Sequence, residues 1–169
     1  GRISCFDLTA DGATAYVAGN AIGLWQVPLD GSAPTRLVRT LRAPKAVTVD
    51  PSGQTVLIAE GGLDGRLRQL DLAANQLTTV ATGLMRARGM VYEQAVGRPI
   101  VDEQETGRLV TPHASGGFST VIDGLGEPVD LAWHDAEQTH LLVADTANGR
   151  VVSAKLRQPL DEPVWLVTD

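Results

Sequence analysis

Short apolar runs recur along this chain, and Gly, Asp, Asn, Ser or Pro close each one off. The first stretch gives ISCFDL, a turn at Asp11-Gly12, ATAYVAG, GLWQVPL, a turn at Asp30-Gly31, and TRLVRT. The second gives PKAVTVD, a turn at Pro51-Ser52-Gly53, TVLIAE, GRLRQLDL and LTTVAT. The third gives ARGMVYE, a turn ending at Gly97, PIVDE, GRLVTPHA, a Gly116-Gly117 turn, and FSTVID. The fourth gives PVDLAWHD, a turn over 136–139, HLLVAD, GRVVSAKL and VWLVTD. Val, Ile, Thr and aromatics fill the runs and turn formers fill the gaps, which is the pattern of antiparallel strands joined by tight turns. No long window carries a 3.6-residue period, so the pattern predicts an all-β chain with almost no helix.

The pattern also repeats. Gly23, Gly65, Gly107 and Gly149 stand 42 residues apart, and each opens one of the strand-like runs. A fixed period of this size marks units that bury their apolar faces only by stacking on neighbours. The repeats fall at about 1–42, 43–84, 85–125 and 126–169 within one domain, 1–169. The second residue after each glycine is Trp25, Leu67, Leu109 and Val151. The outer strand supplies Val38, Val80, Val121 and Val167. The first strand supplies Phe6, Val47, Met90 and Leu131, then Leu8, Val49, Tyr92 and Trp133 two residues on. Alternate side chains on a strand face one way, so these columns are expected to pack one sheet on the next. Four-stranded sheets of this length stacked radially make a β-propeller.

EPVDLAWHDAEQTHLLVADTANGRVVSAKL resembles an NHL repeat: Pro-x-Gly-hydrophobic, a strand ending Ala-Asp, an Asn-rich turn, then Arg-hydrophobic-hydrophobic. APKAVTVDPSGQTVLIAEGGLDGRLRQLDL is similar, with Glu60 where the fourth repeat has Asp145; the third has Glu103 there and the first has Gly19. Gluconolactonase and senescence-marker propellers share this look. The resemblance implies a ring of six blades, so four repeats imply consecutive blades of a longer ring. A closed ring of four blades and two copies closing together into one ring are the alternatives; an open array would leave an apolar face exposed at each end. The lactonase-like members hold a divalent cation through Glu, Asn and Asp of different blades. This chain has only Asn20, Asn75 and Asn148, all in turn-like stretches, and that set has no counterpart residue by residue.

Composition narrows the chemistry further. Apolar residues make up 43% of the chain, ordinary for a folded domain. The net charge of −6 argues against a nucleic-acid partner or an anionic membrane surface. No apolar run approaches the roughly 20 residues of a membrane span. The single cysteine, Cys5, excludes an internal disulfide, and its place in ISCFDL predicts a buried, inert thiol. Nothing in the sequence assigns a compartment.

The residues offer no catalytic set, metal site or cofactor site. His113, His134 and His140 have no zinc spacing, and no nucleophile elbow or P-loop is present. Glu60, Glu103 and Asp145 are expected to cap the local turn, with Arg66, Arg108 and Arg150 as structural partners. Trp25, Trp133 and Trp165 are expected in the core, and Pro28 and Pro112 at strand ends. The connections from each outermost strand to the next innermost strand share one rim. Arg39, Arg42 and Lys45 make the first basic, Arg86 and Arg88 the second, and Asp123, Glu127 and Asp130 make the third acidic. This charge-split rim, with Trp133 near the channel, is the candidate binding surface for a protein, peptide or glycan. The sequence therefore points to a non-catalytic binding or scaffolding propeller. The alternatives are a lactonase-like metal-dependent hydrolase module and an architectural segment that self-associates through open blade faces.

Overall fold

The computed structural model describes residues 2–156 and the backbone of 166–167. Among the described residues, the strands form four sheets of four. Blade 1 is β1 (Cys5–Leu8), β2 (Thr14–Gly19), β3 (Gly23–Pro28) and β4 (Thr35–Val38). Blade 2 is β5 (Pro44–Val49), β6 (Thr55–Glu60), β7 (Gly65–Asp71) and β8 (Gln76–Leu84). Blade 3 is β9 (Met90–Glu93), β10 (Arg98–Glu103), β11 (Arg108–Pro112) and β12 (Phe118–Ile122). Blade 4 is β13 (Pro128–Trp133), β14 (His140–Asp145), β15 (Arg150–Lys155) and β16 (Leu166–Val167). Each sheet is an antiparallel meander in chain order, and a 3₁₀ turn at Thr146–Asn148 is the one helical feature described. Arranged about a common channel, the blades make an all-β propeller.

Local chemistry sets the hairpins. The carboxylates of Asp50 and Asp135 fold back on the turn that follows them, taking the amides of Thr55 at 2.8 Å and Thr139 at 2.9 Å. The repeat glycine has a separate cause. Gly23 lies at φ +77°, and a Cβ there would sit 1.9 Å from the Val38 carbonyl oxygen. Gly107 lies at φ +64°, with the Leu125 carbonyl oxygen 2.2 Å from the same point. The end of the outer strand presses on the start of the third strand at this position, and only glycine leaves room. Pro28 and Pro112 are the last residues of β3 and β11, as expected.

Three apolar clusters hold four blades. Blades 1 and 2 share Tyr16, Leu24, Val56, Ile58 and Leu70, among others. Blades 2 and 3 share Leu57, Leu67, Leu84, Val101 and Val110. Blades 3 and 4 share Ile100, Leu109, Leu141, Val143 and Val152. Fully burying one such side chain contributes roughly 1.5–3 kcal/mol. No described cluster joins blade 4 to blade 1. This corrects the expected packing columns at both ends: Phe6 is 65% exposed, Leu8 43% and Val151 67%, because no sheet among the described residues covers the faces that carry them. The side chains of Val167 and Trp165 lie outside the described residues. Trp25 is half-buried instead of core, donating to the Ile22 carbonyl at 2.9 Å under the Arg36 guanidinium.

Candidate functional site

The rim loops are held from below by the acidic column. Glu60, Glu103 and Asp145 are almost wholly buried, and each uses its two oxygens differently. One oxygen takes a rim-loop amide: Arg42 to Glu60 at 2.6 Å, Met85 to Glu103 at 3.0 Å, Gly126 to Asp145 at 2.7 Å. The other takes the arginine after the repeat glycine: Arg66 at 2.7 Å, Arg108 at 2.5 Å, Arg150 at 2.9 Å. The expected arginine pairing is present. The expected cap on the local turn is corrected, because the amide taken belongs to the loop entering the blade. Burial alone would raise Asp145, but hydrogen bonds from Asn148, Arg150 and the Gly126 amide outweigh it and hold the carboxyl below 3.8. In blade 1, Gly19 stands in this column, and a Cβ there would meet the Arg2 carbonyl oxygen at 2.1 Å.

Asp102, one residue before Glu103, adds a second clamp. Its carboxylate takes the Arg88 amide at 2.6 Å and the Gly89 amide at 2.9 Å, fixing the turn into β9. Burial pushes its pKa from 3.8 to about 7; the two amides oppose the rise and Asp130 nearby adds to it. Sequence reading missed Asp102, since only blade 3 carries an acid at that step of the column.

The innermost strands of all four blades line a channel cavity of about 720 Å³, with Cys5, Phe6, Lys45, Arg88, Met90 and Asp130 in its wall. Lys45 and Asp130 belong to β5 and β13 themselves, so they face the channel instead of riding on the connecting loops. Lys45, Arg86 and Arg88 line a smaller groove of about 270 Å³ with Gln104. Arg86 is engaged there by Glu105 at 2.9 Å. Lys45 and Arg88 have no ion-pair partner among the described residues; Arg88 reaches only the Gln104 amide oxygen, at 3.4 Å. Trp133 lines a third cavity of about 370 Å³ toward the other end of the channel, with Phe6, Tyr92 and Asp130, and donates to the Tyr92 carbonyl at 3.0 Å. Arg39, Arg42 and Glu127 are exposed and line none of these cavities.

Cys5 is half-buried in the channel wall, and burial raises its thiol to about 11, partly offset by Lys45, so it stays a thiol at neutral pH. His134 and His140 meet edge to face, with His140 Nδ1 3.6 Å from Asp135. Among the described residues, no group of three or more His, Cys, Asp and Glu is placed to hold a metal ion. No helix among them is long and apolar enough to cross a membrane.

Blades about a channel whose clamped rim carries the charged residues define the chain as a β-propeller. It superposes on a chain of a nidogen/laminin complex with a TM-score of 0.80 at 22% identity, covering 99% of this chain and 65% of that one. It superposes on an auxiliary nutrient binding protein from Bacteroides thetaiotaomicron with a TM-score of 0.77 at 9% identity, covering 100% of this chain and 42% of that one. The chain thus spans less than two thirds of both, and at these identities the likeness is one of fold alone. No family model and no curated protein matches it.

Proposed function

We propose that this chain is an NHL-like, non-catalytic binding propeller that presents its rim and channel mouth to a protein, peptide or glycan. The observation that carries the reading is the pair Lys45 and Arg88. In a chain with 20 acidic and 14 basic residues, Arg66, Arg68, Arg86, Arg98, Arg108 and Arg150 are all in ion pairs. Lys45 and Arg88 at the mouth are not, and, unlike Arg36, Arg39 and Arg42, which also lack an ion pair among the described residues, they line a concave wall. Unpaired charge on a concave wall focuses potential outward and favours a carboxylate-bearing segment, while Asp130 gives it a polarity to match. The clamps under the rim fix the backbone at Arg42 and Arg88 before any partner arrives, which lowers the ordering cost of binding. One structural neighbour is held in a complex with another protein and the other is a nutrient binding protein, which supports a binding role.

The test is fluorescence polarisation with labelled Asp/Glu-rich peptides. Lys45→Glu with Arg88→Glu is expected to weaken binding by about tenfold or more, while Arg39→Ala leaves it unchanged. Equal affinity of all three proteins would contradict the reading. A second reading, self-association, is favoured by the exposed Phe6, Leu8 and Val151 on the faces of the end blades. Light scattering decides it, since a monomer at all concentrations would count against it.

A further inference from the structure

Among the described residues the buried carboxylates are Glu60, Glu93, Asp102, Glu103 and Asp145. Four of them have an arginine: Glu60 pairs with Arg66, Glu93 with Arg98, Glu103 with Arg108 and Asp145 with Arg150. Asp102 has no ion pair among the described residues, and its two oxygens take only the backbone amides of Arg88 and Gly89. A buried charge without a counter-charge favours its neutral form, which is the physical cause of the rise of this carboxyl to about 7.

Alternation along β10 puts Asp102 on the face of Ile100, toward blade 4. Gly89, held by this carboxylate, lies flat on β13, where a Cβ would stand 2.9 Å from the Asp130 Cα. Asp130 of β13 and Arg88 of the entry turn are the charges that act on Asp102, with opposite sign. On β14, Asp145 shares the face of Leu141 and Val143 toward blade 3, but Arg150 neutralises it at 2.9 Å. From β9 and β11 the neighbours on this face are apolar, Val91 and Leu109. Blade 2 has the same arrangement without the acid. Lys45 stands two residues before Val47 as Arg88 stands two before Met90, while Ala59 holds the step that Asp102 holds in blade 3.

A group that can gain or lose charge therefore sits one hydrogen bond from the backbone of a mouth cation. We propose that Asp102 is a proton switch for the channel mouth: protonated, it leaves Arg88 and Lys45 free to hold an acidic segment, and ionised, it sets a buried negative charge against that segment. This inference rests on the channel-mouth reading above. The switch acts through charge and not by opening the turn, because the neutral carboxyl still accepts at its carbonyl oxygen and the Asp102 amide still donates to the Gly89 carbonyl at 3.1 Å. Linkage makes the effect reciprocal, so an acidic segment that binds at the mouth draws a proton from solvent onto Asp102.

The test is fluorescence polarisation with a labelled Asp/Glu-rich peptide at pH 6 and pH 8 and constant ionic strength. The peptide's own carboxyls ionise near pH 4, so its charge is the same at both. The parent chain is expected to bind about fivefold tighter at pH 6, and Asp102→Asn is expected to lose that gain. Histidine also changes charge in this window; His113, His134 and His140 line neither the mouth cavity nor the groove beside it, and all three remain in the variant. Peptide binding that is equal at both pH values, or a gain that survives in Asp102→Asn, overturns the proposal and leaves the channel-mouth reading standing. Absence of binding to the parent at either pH overturns both. A second measurement needs no variant: in an NMR titration of the parent chain, the Arg88 and Gly89 amides are expected to shift together with a midpoint of about 7, while those of Lys45 and Ala46 do not follow. A shared midpoint near the ordinary carboxyl value of about 4 would contradict the switch whatever the peptide does.

Discussion

Replacing Glu103 by Gln is expected to lower stability by about 2–3 kcal/mol in urea titrations, and to speed amide exchange at Met85, whose N–H it holds. The repeat spacing shows Glu60, Glu103 and Asp145 as a column, yet it does not show what they hold. Their targets are backbone amides of loops 18 or 19 residues earlier, brought close only by the meander of the sheet. Asp102 has a signature of the opposite sign. Its folded pKa of about 7 lies above the ordinary 3.8, so the folded chain keeps a proton across the interval where the unfolded chain has released it. Its contribution to stability is therefore greatest in acid and is lost as pH rises through about 7. Asp145, held below 3.8, contributes above that value and loses its effect as pH falls through its lowered pKa. Urea midpoints measured from pH 4 to 8 are expected to fall less steeply in Asp102→Asn than in the parent chain, and parallel curves would count against this.

At the level of the strand, Val151 and Val152 are neighbours with opposite fates. Val152 is wholly buried against blade 3, whereas Val151 is 67% exposed. Val152→Ala is expected to destabilise the chain by about 2 kcal/mol, and Val151→Ser to change stability by no more than about 0.5 kcal/mol, both read from denaturant midpoints. The period-two pattern made every sheet legible, because a strand's apolar alternation survives in the sequence wherever one face is covered. The pattern did not show which columns lack a neighbour. Phe6 and Leu8 carry the same apolar signal as Met90 and Tyr92 in the equivalent places, and only the arrangement of blades separates an outward face from an inward one.

For the whole molecule, the four stacked units divide labour between frame and surface. The frame is repetitive: close glycine contacts at Gly23, Gly65 and Gly107, buried carboxylates in blades 2, 3 and 4, and three apolar clusters recur with the period. The candidate site is a departure from it: Lys45 and Arg88, without ion-pair partners among the described residues, at the channel mouth. Repetition made the frame readable in the sequence, and the site was readable only as charges on a rim, because a cavity is made by residues of several blades at once. Each sheet should therefore owe its stability to the number of sheets beside it. Hydrogen exchange followed by mass spectrometry measures this directly. The account expects the slowest exchange in β6, β7, β10 and β11, which have a blade on both sides, and faster exchange in β2, β3, β14 and β15. Equal protection in all four blades, or the strongest protection in the first and last, would contradict it.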